Sequence, residues 1–275
     1  GLAQAQQPAT GGRTRPPGAL HFGDAGRGGR VVGRGPAVRL PCRRGALEPW
    51  SPFRNDDWIP FDTAESVVAA NIAAIEAIDG PTFVSTPGLL LDLPDARYVP
   101  LTLDSDRWAS ATEILVNDRL RIMHAPSNPA IKGTSLIEPV LQRLGEAGVA
   151  DYVRVQGVPN ERLPEFYSQS DILLDQFFLG DYGVAACEAM ASGRLVVSHV
   201  SKQARDVVEA TTGLELPIVE ATIESLEDVL HDIDTRRDHY REIAARGPAF
   251  VRAAHDGERS RAVFVDAIAT EGRHP

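Results

Sequence analysis

The chain carries 26 arginines but only two lysines, Lys132 and Lys202. Lys132 stands in the segment HAPSNPAIKGT, His124–Thr134, directly before Gly133 and ahead of a helical pattern. A compact ammonium beside a glycine-opened helix start suits a phosphate oxygen, because free N–H groups and a positive dipole end meet there. On spacing alone, an ordinary surface lysine before a C-cap-like glycine explains the pair equally well. A second segment, FFLGDYGVAACEAMASG, runs from Phe177 to Gly193. In it Gly183 can open a helix and let a diphosphate approach the backbone. Glu188, just over one turn later, can accept hydrogen bonds from ribose hydroxyls. Taken alone, an N-cap Gly183 and a solvated Glu188 is the simpler reading. In a third segment, QGVPNE, Gly157 and Val158 could flank a flat base; by itself this signal is weak.

The elements around these segments must bring them together. Leu120–His124 reads as a strand, followed by a helix from about Ser135 to Glu146. Ser135 with Glu138 forms a capping-box pattern, and Leu136, Ile137, Val140, Leu141 and Leu144 make the apolar face. Pro139 falls near the end of the first turn, where it removes at most one backbone bond. Tyr152–Gln156, Asp171–Asp175, Leu195–Ser198 and Leu216–Val219 read as further strands. Between them Asn160–Gln169 and Gly183–Ala191 read as helices. Ile223, Leu226, Leu230 and Ile233 stripe another helix, with one or two more towards Thr270. Strands alternating with helices predict an α/β fold, a Rossmann-like open parallel sheet with helices on both faces. Such a sheet binds its ligand beyond the carboxyl ends of its strands, where all three segments begin.

Upstream, Asp62 with Glu65 reads as a capping box. Val67, Val68, Ile72, Ile75 and Ile78 follow at helical spacing, and Gly80–Pro81 end that helix. Thr82–Ser85 and Tyr98–Leu103 read as short extended runs. This is a partial α/β remnant, too little for a complete domain. Residues 1–50 hold eight Arg against Asp24 and Glu48, with eleven Gly and six Pro. They show no helical or strand period, and the expectation is a disordered or non-native leader over residues 1–60. The chain begins with Gly1 rather than Met, which fits a trimmed or incomplete reading frame.

Net charge is −10, so the 225 residues after the basic leader carry −16. That acidic body argues against nucleic acid as a partner, which needs a basic surface to displace counterions. No run approaches the roughly 18 apolar residues of a membrane span, and the start lacks a secretory signal. Cys42 and Cys187 supply no disulfide framework, which fits a reducing compartment. The seven histidines are scattered, so no metal site is expected.

Taken together and in order, the segments resemble the C-terminal domain of retaining GT-B-fold glycosyltransferases of the group 1, or family 4, type. The matching residues are Lys132–Gly133, Gly157, Leu163 with Tyr167, Ser170–Asp171, Tyr182–Gly183, Glu188-Ala-Met-Ala191, Gly193 and Val196–Val197. The likeness covers about Arg119 to Ala267, and a weaker one reaches back to Phe83. It implies residues 116–275 as a nucleotide-sugar-binding domain, with 61–115 as the remnant of an N-terminal domain and its linker. It further implies retaining transfer of a sugar from a nucleotide-diphospho-sugar donor to a glycan or glycoconjugate acceptor, without a cofactor or metal. Lys132 would neutralise the diphosphate beside Gly133 and Thr134, and the backbone of Gly183 and Val184 would cradle it. Glu188 would hold the ribose, and Gly157 with Val158 would contact the base. The implied setting is polysaccharide biosynthesis in the cytoplasm, with or without peripheral contact at the inner membrane face.

Three departures stand against that pattern. The family's partner glutamate, eight positions before Glu188, is Gly180 here; Asp181 is adjacent and is the substitute candidate for the catalytic set with Glu188 and Lys132. Pro126 replaces an arginine the family commonly places six residues before the lysine. The N-terminal domain that would supply the acceptor site is largely missing or unrecognisable. The alternative function is therefore a catalytically incomplete half that binds only a nucleotide or a protein partner. A third reading, a nucleotide-sugar epimerase, has no motif in its favour. His124 and His199 are expected to be local hydrogen-bonding residues.

Overall fold

A computed structural model describes residues 65–271, and side chains from residue 69 to 270, all within one compact unit. The expected leader, the Asp62 cap and the side chains of Val67 and Val68 lie outside what is described. The first elements are α1 (Glu65–Glu76), β1 (Phe83–Val84) and β2 (Arg97–Tyr98). The two short strands pair in parallel as a separate sheet.

The main sheet is built from β3 (Leu120–His124), β4 (Ala150–Arg154), β5 (Ile172–Leu174), β6 (Leu195–Ser198) and β7 (Ile218–Glu220). All its pairings are parallel, in the order β4-β3-β5-β6-β7. The chain steps from β3 outward to β4, then returns across β3 to place β5 on its other side. The carboxyl ends of β3 and β5 therefore flank the point where strand order reverses, where an open α/β sheet leaves a crevice.

Side-chain alternation in the central strands assigns the two faces. Met123, Leu173, Val196 and Ile218 turn to one side. They pack with α4 (Leu163–Gln169), α5 (Val184–Ala191), α6 (Lys202–Thr212) and the second half of α8 (Arg237–His255). Leu120, Ile122, Ile172, Leu174, Leu195 and Val197 turn to the other, against α3 (Thr134–Glu146), α7 (Leu226–Thr235) and the first half of α8. The expected Rossmann-like arrangement, with helices on both faces, is what the chain forms. The last described element, α9 (Glu258–Glu271), lies against the small sheet, with Ala267 packed on Phe83 and Val99.

The strands at Leu120–His124 and Leu195–Ser198 fall where the apolar runs place them. The Ser135–Glu138 capping box does not form. A four-residue helix, α2 (Pro129–Lys132), comes first, capped by the Asn128 side chain on the Ala130 N–H. It ends at Gly133 with φ 78°, and Gly133 also serves as the N-cap of α3. Ser135 therefore lies inside α3, and Pro139 falls in its second turn. The left-handed φ explains the glycine. Helix α6 is a further element the sequence pattern did not reveal.

Asp171, the aspartate of the matching motif, is fully buried at the amino edge of the sheet. Its carboxylate accepts from the Leu115 and Arg121 N–H groups at 2.9 and 2.8 Å and pairs with the Arg121 guanidinium at 2.6 Å. The motif residue fastens the incoming chain and stands at the edge opposite the crevice.

Candidate functional site

Lys132 ends α2 just beyond β3, and its position makes it a buried cation with 8% of its surface exposed. Its ammonium donates to Asp175, at the end of β5, and the two form an ion pair. Asp175 is 1% exposed, and its second oxygen, Oδ2, has no partner within the described residues. An ammonium has three N–H donors, so pairing with Asp175 leaves donors over for a phosphate. Lys202, by contrast, is exposed and pairs along its own helix with Asp206 at 2.7 Å.

His124 fixes the ground beneath this pair. Its Nδ1 lies 2.8 Å from the Leu174 carbonyl, which only accepts, so Nδ1 carries the proton. Nε2 then accepts from the Thr134 hydroxyl at 2.8 Å. Burial, aided by the charge of Lys132, pushes the imidazole below its ordinary pKa and keeps it neutral. The Thr134 hydroxyl is thereby engaged within the protein. Gly133 runs against the Phe178 ring, which a Cβ there would meet at 3.4 Å. His199 binds Glu220 at 2.6 Å, so both histidines make local contacts.

The second segment leaves β5 as a loop that folds back to α5. Gly180 adopts φ 62°, a backbone state that favours glycine, so no side chain stands at that position. Asp181 is buried and looks away from an open role. Its Oδ2 accepts from the Gly88 N–H at 2.7 Å and Oδ1 from the Tyr182 N–H at 3.1 Å. The Tyr182 hydroxyl meets Tyr98 at 3.4 Å and His255 at 3.2 Å, and the ring of His255 holds the Leu101 carbonyl. Asp181 and Tyr182 thus anchor the loop to the segment that precedes the main sheet. Gly183 is the N-cap of α5 with no side-chain cap, and Val184 after it is half exposed. A helix start without a side-chain cap can turn its first N–H groups towards an anion.

Glu188 is only 5% exposed, and its Oε2 accepts from the Tyr167 hydroxyl at 3.0 Å. Burial raises its carboxyl above the ordinary value, opposed by Tyr167, by the charge of Arg107 and by the Asn160 side chain. Asp175 acts electrostatically on Glu188, on Tyr167 and on His124. Asp175 thus pairs with Lys132, and its charge also acts on Glu188. Gly157, at φ 69° with open space around it, and half-buried Val158 follow β4 on the Asn160 side.

Asp175, Arg107 and Asn160 are participants that motif reading missed. Asp175 had a signal, a carboxylate closing an otherwise apolar strand; Arg107 had none. Among the described residues, no cluster of three His, Cys, Asp or Glu could hold a metal. No helix there is long and apolar enough to cross a membrane. The charged depression lined by Asp234, Arg236, Arg237 and Arg241 lies at the turn between α7 and α8. Arg237 there reaches the Asp118 carbonyl just before β3 at 2.9 Å, so it marks the far edge of the sheet.

Residues 112–232 match the family model described as Glycosyl transferases group 1. No curated protein matches the chain. Sucrose-phosphate synthase from Thermosynechococcus elongatus shares the fold with TM-score 0.59 at 13% identity, over 82% of this chain and 66% of that one. S. aureus TarM, in a complex with Fondaparinux, alpha-GlcNAc-glycerol and UDP, gives TM-score 0.59 at 12% identity, over 78% of this chain and 49% of its own. Anabaena HepE bound to UDP-glucose gives 0.55 at 9% identity, over 74% and 67%. The chain thus spans about half to two thirds of the length of these structures.

Proposed function

We propose, from the premise that residues 112–232 form a domain of the group 1 glycosyl transferases with a GT-B-type fold, that the chain binds a nucleotide-diphospho-sugar and transfers its sugar to a glycan or glycoconjugate acceptor. The observation that carries the reading is the buried Lys132–Asp175 ion pair where β3 and β5 end, followed along the chain by the uncapped start of α5, with the Asp175 charge acting on Glu188. UDP in the TarM complex and UDP-glucose in the HepE complex support the donor class.

In this reading Lys132, beside Gly133 and Thr134, and the backbone of Gly183 and Val184 receive the diphosphate. Glu188 accepts from the ribose hydroxyls, and the Gly157–Val158 loop flanks the base. Negative charge grows on the diphosphate as the glycosidic bond breaks. A fixed ammonium and a helix start then stabilise the transition state more than the bound donor. The donor is a substrate, and no cofactor or metal is called on. Retention at the anomeric carbon, a polysaccharide product and a cytoplasmic site with peripheral membrane contact belong to the same proposal. Asp181 enters it through the loop it anchors, since both its oxygens are already engaged.

A second reading is favoured by one specific observation: at Gly180 no side chain stands where the family pattern has the partner glutamate. Under it the chain binds nucleotide without transferring sugar. Incubation with radiolabelled UDP-glucose, GDP-mannose or ADP-glucose separates the two. Slow release or transfer of sugar with the anomer retained supports the enzyme. Nucleotide binding with no sugar released over days leaves only the binding half.

A further inference from the structure

The ribose-binding candidate Glu188 is enclosed in part by a turn that lies upstream of the family domain. Tyr167 donates its hydroxyl to Glu188 at 3.0 Å, and its ring meets Trp108 edge-on at 5.6 Å between centroids. Trp108 is buried at the end of a 3-10 turn, Ser105–Trp108, upstream of residues 112–232. On the same turn Arg107 lies over the Trp108 ring at 5.0 Å. Arg107 crosses to the loop after β4 and donates to the Asn160 carbonyl at 3.0 Å and to the Asn160 side-chain oxygen. Through Trp108 the same turn packs on Tyr167, which donates to Glu188, and both the Arg107 charge and the Asn160 side chain favour the ionised carboxylate.

We propose that Arg107 and Asn160 form a clasp over Glu188, making Arg107 a positioning residue that holds this carboxylate for the hydroxyls of a nucleotide ribose. The proposal rests on the donor-binding reading of the site. Its physical ground is that a buried carboxylate loses water as a partner and must be held charged and oriented to accept two hydroxyls. Around Glu188 the groups acting on its charge are Tyr167 on α4, Arg107 on the 3-10 turn, Asn160 after β4 and Asp175 at the end of β5. Asp175 and burial oppose the anion; Arg107 is the cation that favours it. The planar guanidinium can stack on indole and bridge two oxygens of one residue, which a lysine ammonium cannot do as well. The clasp also joins the segment before the family domain to the base-side loop across 53 positions of sequence.

The test has two arms. In the first, the Glu188 side-chain carboxyl is titrated by carbon-13 NMR in the ligand-free protein, its signal assigned by loss in Glu188→Gln. Arg107→Met and, from the other side of the clasp, Asn160→Ala should each move the midpoint upward, and Arg107→Lys should restore part of the shift. Identical midpoints in all four proteins overturn the proposal. In the second arm, UDP, GDP and ADP are compared with their 2′,3′-dideoxy forms. Arg107→Met should weaken the ribose form of whichever nucleotide binds by roughly tenfold, the scale of a charge-assisted hydrogen bond, and leave the dideoxy form unchanged. Equal weakening of both forms places Arg107 on the base or phosphates and overturns the proposal. If the wild type takes none of the three nucleotides, the donor reading is what fails, and the titration alone decides the clasp.

Discussion

Glu188 shows most clearly how the burial of a single carboxylate works against the fold. Burial raises its carboxyl above the ordinary value, so its ionised form opposes folding. The sign follows directly: stability is full below the unfolded carboxyl pKa and falls as pH rises through the higher folded value. Glu188→Gln should therefore melt higher than wild type at pH 8, with the gain fading towards pH 4, while nucleotide stabilisation is lost. Calorimetry across pH checks it; a variant that melts lower at pH 8 means the carboxylate is held better than its burial implies. Lys132, Glu188 and Gly183 were legible in the sequence because a rare lysine and an ordered motif mark them. Asp175 and Arg107 were not. Their partners stand 43 and 53 positions away, and only the folded arrangement of strands and loops brings those positions together.

At the scale of elements, the sheet was largely legible because central parallel strands are continuous apolar runs. Helix α6 was not recognised, since only Ala204, Val208 and Thr212 bury its inner face and no large aliphatic run marks it. Loop geometry was equally hidden: Gly133 turns left-handed between two helices, which displaced the expected cap. The position of Glu188 depends on a close crossing of α5 and α8. A Cβ at Gly247 would sit 2.7 Å from the Met190 carbonyl oxygen and 3.1 Å from its Cα. That neighbour is backbone and cannot step aside alone. Gly247→Ala should cost about 1–3 kcal/mol, the usual range for overpacking, and weaken nucleotide binding by moving α5. Denaturant unfolding with nucleotide titration checks both; full affinity in a destabilised protein would uncouple the crossing from the site.

At the scale of the whole molecule, the segment before the main sheet is tied into the loop between β5 and α5. The 3-10 turn Pro87–Leu90 packs on α6, and its Gly88 N–H meets Asp181. A Cβ at Gly88 would lie 2.7 Å from the Asp181 carboxylate, displacing the loop that ends in Gly183. Gly88→Ala should lower nucleotide affinity while leaving the melting temperature within a few degrees, as measured by titration calorimetry and thermal unfolding. Unchanged affinity would mean that Tyr182 and its own partners suffice to hold the loop. None of this coupling was legible in the sequence, where residues 61–115 read only as a fragment.

In the proposed reading, Lys132 and the start of α5 grip a diphosphate at the crevice between β3 and β5. Removing Lys132 alone leaves Asp175 buried without its cation, which should cost roughly 3–5 kcal/mol, so stability and binding must be separated. The decisive measurement is thermal shift with UDP, GDP and ADP in wild type, Lys132→Met with Asp175→Asn, and Lys202→Ala. A ligand at 100 times its Kd should add about 2.7 kcal/mol. That gain should appear in wild type for one of the three nucleotides, persist in Lys202→Ala and vanish in the folded double variant. A double variant that keeps the full shift, or a wild type that shows none with any of the three, would contradict the account.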